Sequence, residues 1–454
     1  MTEFKDLPCC IEGMNEILGS FKSPSVILIA GTAGAGKTTM ALQMLSNAAK
    51  QGERTLYIPL TTETSDRLKM TLSTLEFLDE SVEVHDFNRQ IAEKDPLSTL
   101  IDIGNIMSSV NPDRLVIDPI TPIGFGFVEQ ERRRFFYTLD SMVRESNSLV
   151  FLTGELLKEE IHHSVVSHLA DGIIYLSKND DGYHTSHQLE ILKMIGLKPP
   201  YSTECMTQKF NYTTDSSHFE VFPNIRPINQ IPEDKVIDSG IEGVNDMLNG
   251  GIPCGSSVLV AGGPGTGKAI FGWQFINKGL LEGENCIIIT FNETPAQLIQ
   301  HAKKLGWDLQ TYVDSEKLHI IHHYPDERCF AEYAVNINKL VENEHATRLL
   351  IDDLVNLEIT LPDSLKRRGK IQSLTSYLKS SNVTSVFTTE VQSYDARSIM
   401  SKEASFIMDI VILLRQVETD DVIQKHIQIL KSKGTTHHPF TKEYVIEDSG
   451  FKIT

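Results

Sequence analysis

The strongest constraint on this chain of 454 residues is a short pattern that occurs twice. Gly31-Thr32-Ala33-Gly34-Ala35-Gly36-Lys37-Thr38 and Gly262-Gly263-Pro264-Gly265-Thr266-Gly267-Lys268-Ala269 both fit Gly-x4-Gly-Lys, 231 residues apart. A short apolar run suited to a buried strand precedes each, Val26-Ile27-Leu28-Ile29-Ala30 in one copy and Val258-Leu259-Val260-Ala261 in the other. Apolar residues at helical spacing follow each lysine: Met40, Ala41, Met44, Leu45 and Ala48 in the first copy, Phe271, Phe275 and Ile276 in the second. A glycine turn without function is the plain alternative, and the strand–turn–helix context found twice weighs against it.

The chemistry of such a turn is specific. Glycines let successive backbone N–H groups face inward around an anion that bulky side chains would obstruct. The helix that follows points its N-terminus at the same anion, and the lysine reaches the terminal phosphates. A Ser or Thr after the lysine gives Mg²⁺ an oxygen between the β- and γ-phosphates. Thr38 supplies that oxygen and Ala269 does not. The nucleotide-binding segments are read as residues 31–39, ending at Thr39, and 263–270, ending at Ile270. The ligand expected in both is ATP.

Other landmarks repeat with the loops. Ile11-Glu12-Gly13-Met14-Asn15-Glu16-Ile17-Leu18 matches Ile241-Glu242-Gly243-Val244-Asn245-Asp246-Met247-Leu248 at an offset of 230. Arg114-Leu115-Val116-Ile117-Asp118 matches Arg348-Leu349-Leu350-Ile351-Asp352 at 234, and Glu155 matches Glu390 at 235. Ala170-Asp171-Gly172-Ile173-Ile174 matches Met408-Asp409-Ile410-Val411-Ile412, and Lys193 matches Lys431, at 238. A slow drift of this kind reflects a few small insertions in a duplicated domain. Strands alternating with helical patterns predict two α/β domains, each a mostly parallel sheet flanked by helices. The domains are placed at residues 1–222 and 236–454. Between them, three prolines in Val221-Phe222-Pro223-Asn224-Ile225-Arg226-Pro227-Ile228-Asn229-Gln230-Ile231-Pro232 make residues 223–235 an extended linker.

Asp118 and Asp352 end apolar strands, where a carboxylate can hold the water shell of Mg²⁺. A strand-capping Asp is the plainer reading. The metal ligands expected are Thr38 and Asp118.

The net charge of −19 repels the phosphate backbone that dominates nonspecific DNA affinity, so a nucleic-acid partner is disfavoured. Arg132-Arg133-Arg134-Phe135-Phe136-Tyr137, and to a lesser degree Arg367-Arg368, are the segments that could serve single-stranded DNA; a solvated helix face is preferred. No apolar stretch approaches the ~20 residues that span a bilayer, and the start, MTEFKDLPCC, shows no secretory pattern. Cysteines 9, 10, 205, 254, 286 and 329 form no Cys-x-x-Cys pair, as expected of reduced thiols in a cytoplasm. The pairs His162-His163, His322-His323 and His437-His438 place neighbours in different directions, and no zinc site is read from them.

In their order these landmarks resemble the KaiC-type branch of the RecA-superfamily ATPases: Ile-x-Gly-x-Asn-x-x-Leu, Gly-x4-Gly-Lys, Ile-Asp, Thr-x-Glu, then a late Lys in a strand. Domain two carries the likeness furthest, in Asn249-Gly250-Gly251-Ile252-Pro253-Cys254-Gly255, Ile289-Thr290-Phe291-Asn292-Glu293-Thr294-Pro295 and Leu430-Lys431-Ser432-Lys433-Gly434-Thr435. The resemblance implies RecA-like domains and a ring, expected to be a hexamer, with nucleotide between neighbouring subunits. It implies a pair of glutamates activating water. Domain two has Asn292-Glu293 there, and domain one has Thr61-Thr62-Glu63. An ungapped alignment sets two threonines opposite the pair; a one-residue shift, preferred because Leu68 then meets Leu298, sets Glu63 opposite Glu293.

The same resemblance implies that Lys431 and Lys433 reach a neighbour's phosphates, as does Lys193, whose second basic partner is replaced by Ile195. A solvated charge on a strand is the alternative. The family's adjacent Ser and Thr phosphoacceptors correspond to Ser405 and Phe406, so a two-site autokinase cycle is not expected, and an ordinary serine is preferred over transfer to Ser405 alone. The expectation is a cytoplasmic regulatory ATPase, slow in domain one and degenerate in domain two, whose nucleotide state controls an unidentified protein partner. A DNA-binding recombinase accessory factor and an autokinase acting on Ser405 are the alternatives.

Overall fold

Continuous apolar runs form the centre of two sheets because both of their faces are covered. The computed structural model describes residues 4–60, 65–85, 96–121, 129–161, 164–180, 185–196, 209–324, 329–361, 364–391, 399, 403–419 and 422–454. The chain divides into two units, Met1–Asn224 and Ile225–Thr454.

In unit one the strand Ser25–Gly31 is buried throughout, and its side chains alternate between two apolar layers. Ile27 and Ile29 pack with Met40 and Met44 of the helix Lys37–Lys50. Val26, Leu28 and Ala30 face the opposite layer, with Phe135 and Leu139 of the helix Glu129–Ser146. Truncating such a residue, for example Leu28→Ala, costs about 2–5 kcal/mol. In unit two, Val258 and Val260 of Ser257–Gly262 pack with Phe271 and Phe275 of the helix Lys268–Leu281. Leu259 and Ala261 pack with Leu374 and Leu378 of the helix Ser364–Ser380 on the other side.

Each unit contains a nine-stranded sheet with the same strand order. In unit one it runs Phe219–Phe222, Lys209–Thr214, Thr185–Met194, Gly172–Asp180, Ser25–Gly31, Leu149–Glu155, Arg114–Asp118, Thr55–Pro59 and Glu83–Val84. In unit two it runs Gly450–Ile453, Lys442–Glu447, Val422–Ser432, Ile410–Thr419, Ser257–Gly262, Thr384–Glu390, Arg348–Asp352, Cys286–Thr290 and Leu318–His322. Six strands are mutually parallel, and the last three in chain order fold back as an antiparallel ribbon at one edge. The second sheet repeats that division. These are two tandem RecA-like α/β domains. The glycine loops leave the carboxyl ends of the central strands, where open parallel sheets place their ligands.

Residues 223–235 contain no helix or strand. Within unit two the Ile228 N–H donates to Ser380 Oγ at 2.9 Å and the Glu233 N–H to Asn382 Oδ1 at 2.9 Å, so this stretch is anchored to that unit.

A buried arginine begins the Asp-bearing strand in each unit. Arg114 donates to both oxygens of Glu53 at 2.6 and 3.0 Å and to the Pro8 carbonyl. Arg348 donates to both oxygens of Glu284 at 3.0 Å, to Glu282 at 2.9 Å, and to the carbonyls of Asp238 and Phe275. Charges this deeply buried are kept by carboxylate and carbonyl partners.

Candidate functional site

Each loop is shaped for an anion by what its helix lacks. The helices Lys37–Lys50 and Lys268–Leu281 begin at Gly36 and Gly267, with φ of 80° and 87°, no side-chain cap and no acidic residue in the first turn. Their first N–H groups are therefore left for an outside acceptor. The helix Pro295–Lys304, by contrast, is closed by side chains, with Thr294 and Gln297 forming a reciprocal capping box. A Cβ on Gly34 would meet nothing within 4 Å, so the space over that turn is open. Inside loop one, Thr32 Oγ1 is buried with no partner, which suits an absent polar ligand.

The lysines are drawn back onto their own loops. Lys37 donates to the carbonyls of Thr32 at 2.7 Å and Gly31 at 3.2 Å; Lys268 donates to Gly263 at 2.9 Å. Burial pushes both ammonium groups below the usual lysine range, opposed in Lys37 by Glu155 and Asp118 and in Lys268 by Glu390, Asp352 and Asp353. Glu155 pairs with Gly31, and Glu390 with Gly262, in the strand register. These two glutamates were visible in the duplication but were not assigned to the site.

The strand-end carboxylates differ. Asp118 accepts from Tyr57 Oη at 2.9 Å and from Thr153 Oγ1, so both oxygens are held. Asp352 accepts from Thr388 Oγ1. Pro59 pairs with Asp118 and Thr290 with Asp352, so Ile288 stands where unit one has Tyr57. Burial, then the Asp353 and Glu293 charges, raise the Asp352 carboxyl against the lowering effects of Thr388 and Lys268. The residues of unit one thus fit Mg²⁺ through Thr38 and Asp118. Those of unit two fit phosphate, but Ala269, partly packed against the core beside Ile270, supplies no oxygen.

Glu63 lies outside the described residues, as do Thr61 and Thr62. The Leu60 and Phe291 N–H groups bond alike to the carbonyls of Asp118 and Asp352. Leu68 and Leu298 are each the fourth residue of their helices, Ser65–Ser73 and Pro295–Lys304. Unit one therefore fits one extra residue within residues 61–64. Glu293 lies 3.2 Å from His301 Nδ1, and Asn292 Oδ1 accepts from Asn356 at 3.5 Å.

The late lysines do not reach their own loops. Lys193 pairs with Ile173, itself beside Leu28; Lys431 pairs with Val411, itself beside Leu259. Each stands three residues, about 10 Å, short of the loop end of its central strand. Lys193 Nζ donates to the Ala170 carbonyl at 2.5 Å; Lys431 Nζ donates to Met408, Ser405 and Phe406 at 2.6, 3.0 and 3.1 Å. Both thereby cap the end of a short helix. The Lys433 N–H donates to the Asp409 carbonyl. Ser405 is fully buried, and its hydroxyl donates to Ile399 at 2.5 Å.

Sequence reading missed four contacts on the loops. Lys425 and Gln416 donate to the Gly265 carbonyl at 3.1 and 3.2 Å. Tyr212 and Tyr444 donate to the Ala35 and Thr266 carbonyls, both at 2.6 Å. Of the basic–aromatic stretch, Phe135 and Phe136 lie in the core, while Arg133 pairs with Glu129. Burial raises the thiols of Cys9, to about 12, and Cys10, away from reactivity. His162, His163 and Cys205 lie outside the described residues. No helix is long and apolar enough to cross a membrane among the described residues.

Comparison with known proteins agrees with this geometry. The family model described as "ATPase: KaiC" matches residues 7–206 and 237–454. The circadian clock oscillator protein KaiC of Parathermosynechococcus lividus is 27% identical over 467 residues, covering 98% of this chain and 84% of the relative. That of Prochlorococcus marinus is 26% identical, covering 99% and 93%. The circadian clock protein KaiC3 of Synechocystis is 26% identical, covering 94% and 87%. Two family-matched domains, both carrying the loop, the lysine and the strand-end aspartate, place this chain in the KaiC family of RecA-type, ATP-binding ATPases.

Proposed function

We propose that domain one binds Mg-ATP and hydrolyses it slowly, while domain two retains nucleotide without efficient cleavage. Lys37 exchanges its two loop carbonyls for terminal phosphate oxygens. Thr38 and Asp118 would hold Mg²⁺, which neutralises charge on the β- and γ-phosphates when bound. Tyr57 and Thr153 keep Asp118 in one orientation. Lys268 holds phosphate in domain two, where Ala269 and the single hydroxyl on Asp352 leave metal poorly held. Asn292 can orient water but cannot take its proton. General-base help is worth about 10²–10⁴-fold, so slow turnover follows.

The late lysines support assembly of several copies. Neither Lys193 nor Lys431 reaches its own loop, so any contact with phosphate comes from a neighbouring subunit. A homo-oligomeric ring, six-membered by the family resemblance, brings Lys193, Lys431 and Lys433 to a neighbour's nucleotide. The nucleotide state of the ring then sets its affinity for a regulatory protein partner. The relatives' names mark them as clock proteins. Here the buried Ser405 and the neighbouring Phe406 favour nucleotide occupancy over phosphotransfer as the signal. A cytoplasmic location is part of the same proposal.

The observation that carries this reading is the pair of uncapped, lysine-bearing helix starts differing at Thr38 and Ala269. The test is ATP binding with and without EDTA in Lys37→Ala and Lys268→Ala variants. EDTA should abolish the site left in Lys268→Ala and spare the site left in Lys37→Ala. Equal sensitivity at both sites would overturn the assignment.

A further inference from the structure

A peptide plane fixes two directions at once: in a trans peptide the carbonyl of one residue and the N–H of the next point to opposite sides. In both units the peptide ahead of the loop's last glycine is held by its carbonyl. Tyr212 donates to Ala35, and Tyr444 to Thr266. The glycines whose N–H groups are thereby aimed are Gly36 and Gly267, the residues that begin the loop helices.

Both tyrosines are held rigidly. They are 3% and 2% exposed. Tyr212 stacks on Phe219 at 4.7 Å and Tyr444 on Phe451 at 4.1 Å. Each phenylalanine is clamped through its backbone by a glutamine of the loop helix. Gln43 donates to the Phe219 carbonyl at 3.0 Å and accepts from its N–H at 2.5 Å; Gln274 does the same to Phe451 at 3.2 and 2.7 Å. Loop, helix, glutamine, phenylalanine and tyrosine close a ring of contacts within each unit. A Cβ on either glycine would strike the same ribbon, at Thr214 (3.0 Å) or Ile446 (2.4 Å). The antiparallel ribbon therefore lies directly behind the loop.

We propose that Tyr212 and Tyr444 are positioning residues for phosphate, each aiming a glycine N–H into its loop by holding the preceding carbonyl outward. The inference rests on the nucleotide reading of the loops. It assigns the antiparallel ribbon to loop geometry in addition to core packing. The hydroxyl also polarises the peptide it holds, strengthening the N–H as a donor. Recurrence of the arrangement in both units, after divergence of the metal-contacting residue, ties it to phosphate and not to magnesium.

The test is Tyr212→Phe in a Lys268→Ala background, which keeps the ring stack and deletes one oxygen. Displacement of a fluorescent ATP analogue by ATP and by inorganic tripolyphosphate reads affinity at domain one alone. An unsatisfied buried carbonyl is free to turn, and about tenfold weaker binding of both probes is expected. kcat/KM should fall by a similar factor, mostly through KM. Unchanged tripolyphosphate affinity would overturn the inference, because a purely structural hydroxyl leaves phosphate recognition alone. Should Tyr212→Phe not fold, Tyr444→Phe in a Lys37→Ala background poses the same question at domain two, where weakened binding of both probes supports the inference and unchanged binding overturns it. Lys37→Ala in the same background separates the readings: if it leaves ATP bound at domain one, the nucleotide assignment fails. If it abolishes binding while Tyr212→Phe does nothing, only the hydroxyl's role fails.

Discussion

The two glycine loops of this chain share a frame and differ in what surrounds the metal position. Both are held by a tyrosine, drawn around a half-buried lysine and followed by an uncapped helix. At the carboxylate the units part. Asp118 has Tyr57 and Thr153 on its two oxygens, whereas Asp352 has Thr388, with Ile288 where the second hydroxyl would stand. The difference between Thr38 and Ala269 is therefore not an isolated one. On the proposed reading, phosphate and magnesium recognition would occupy neighbouring but separable parts of one site, the first common to both units and the second different between them.

The largest expected effect comes from making domain one resemble domain two. Thr38→Ala removes the oxygen proposed to contact metal and should lower steady-state turnover at least 10²-fold, the order lost with a charge-stabilising contact. ATP binding at domain one should weaken toward the level that EDTA leaves, while binding at domain two stays unchanged. The buried arginines give the next contrast, in stability. Arg348 is tied to two glutamates and two carbonyls, and Arg114 to one of each, with its Nη1 unpartnered. Replacing either by Met leaves partly exposed glutamates without their charged hydrogen-bond donor, at a cost of about 1–3 kcal/mol. Arg348→Met should lower the denaturant midpoint more than Arg114→Met, and the reverse order would break the comparison.

A smaller effect is expected in the opposite direction. Ala269→Thr should strengthen magnesium-dependent ATP binding at domain two by about tenfold while turnover there stays low. Adding Asn292→Glu should then raise turnover by up to about 10²-fold, read by phosphate release in a Lys37→Ala background. The smallest effect concerns pH. Burial raises the folded-state pKa of Asp352 above its unfolded value, so the folded protein holds that proton more tightly. The charged carboxylate therefore costs stability at neutral pH, and the cost fades as pH falls to the ordinary Asp value of about 3.9. Asp352→Asn should raise the thermal midpoint of the nucleotide-free protein at pH 7, with the gain shrinking toward pH 4.

How much was legible in the sequence depended on distance along the chain. The loops, their strands and their helices were readable because glycine spacing and apolar periodicity are local. Asp118 and Asp352 were readable because each ends an apolar run. Tyr212 and Tyr444 were not, since they reach the loops from strands laid down late in each unit. Their signal is interrupted: Gln43 and Gln274 repeat at an offset of 231, but Tyr212 with Tyr444 and Phe219 with Phe451 repeat at 232, after the offset has reached 238 at Lys193 and Lys431. A gap of six residues between these landmarks hides the repeat from an ungapped alignment, and the strand pairing reveals it. The placement of Lys193 and Lys431 on helix ends was illegible because strand pairing alone decides which edge of the sheet they occupy.

The division of labour is tested most directly by steady-state phosphate release from the full chain carrying Lys37→Ala or Lys268→Ala, in saturating Mg-ATP. The account predicts that Lys37→Ala abolishes turnover and that Lys268→Ala keeps it within about threefold of the parent, because transition-state charge is stabilised at domain one. Turnover that survives Lys37→Ala and disappears in Lys268→Ala would contradict it.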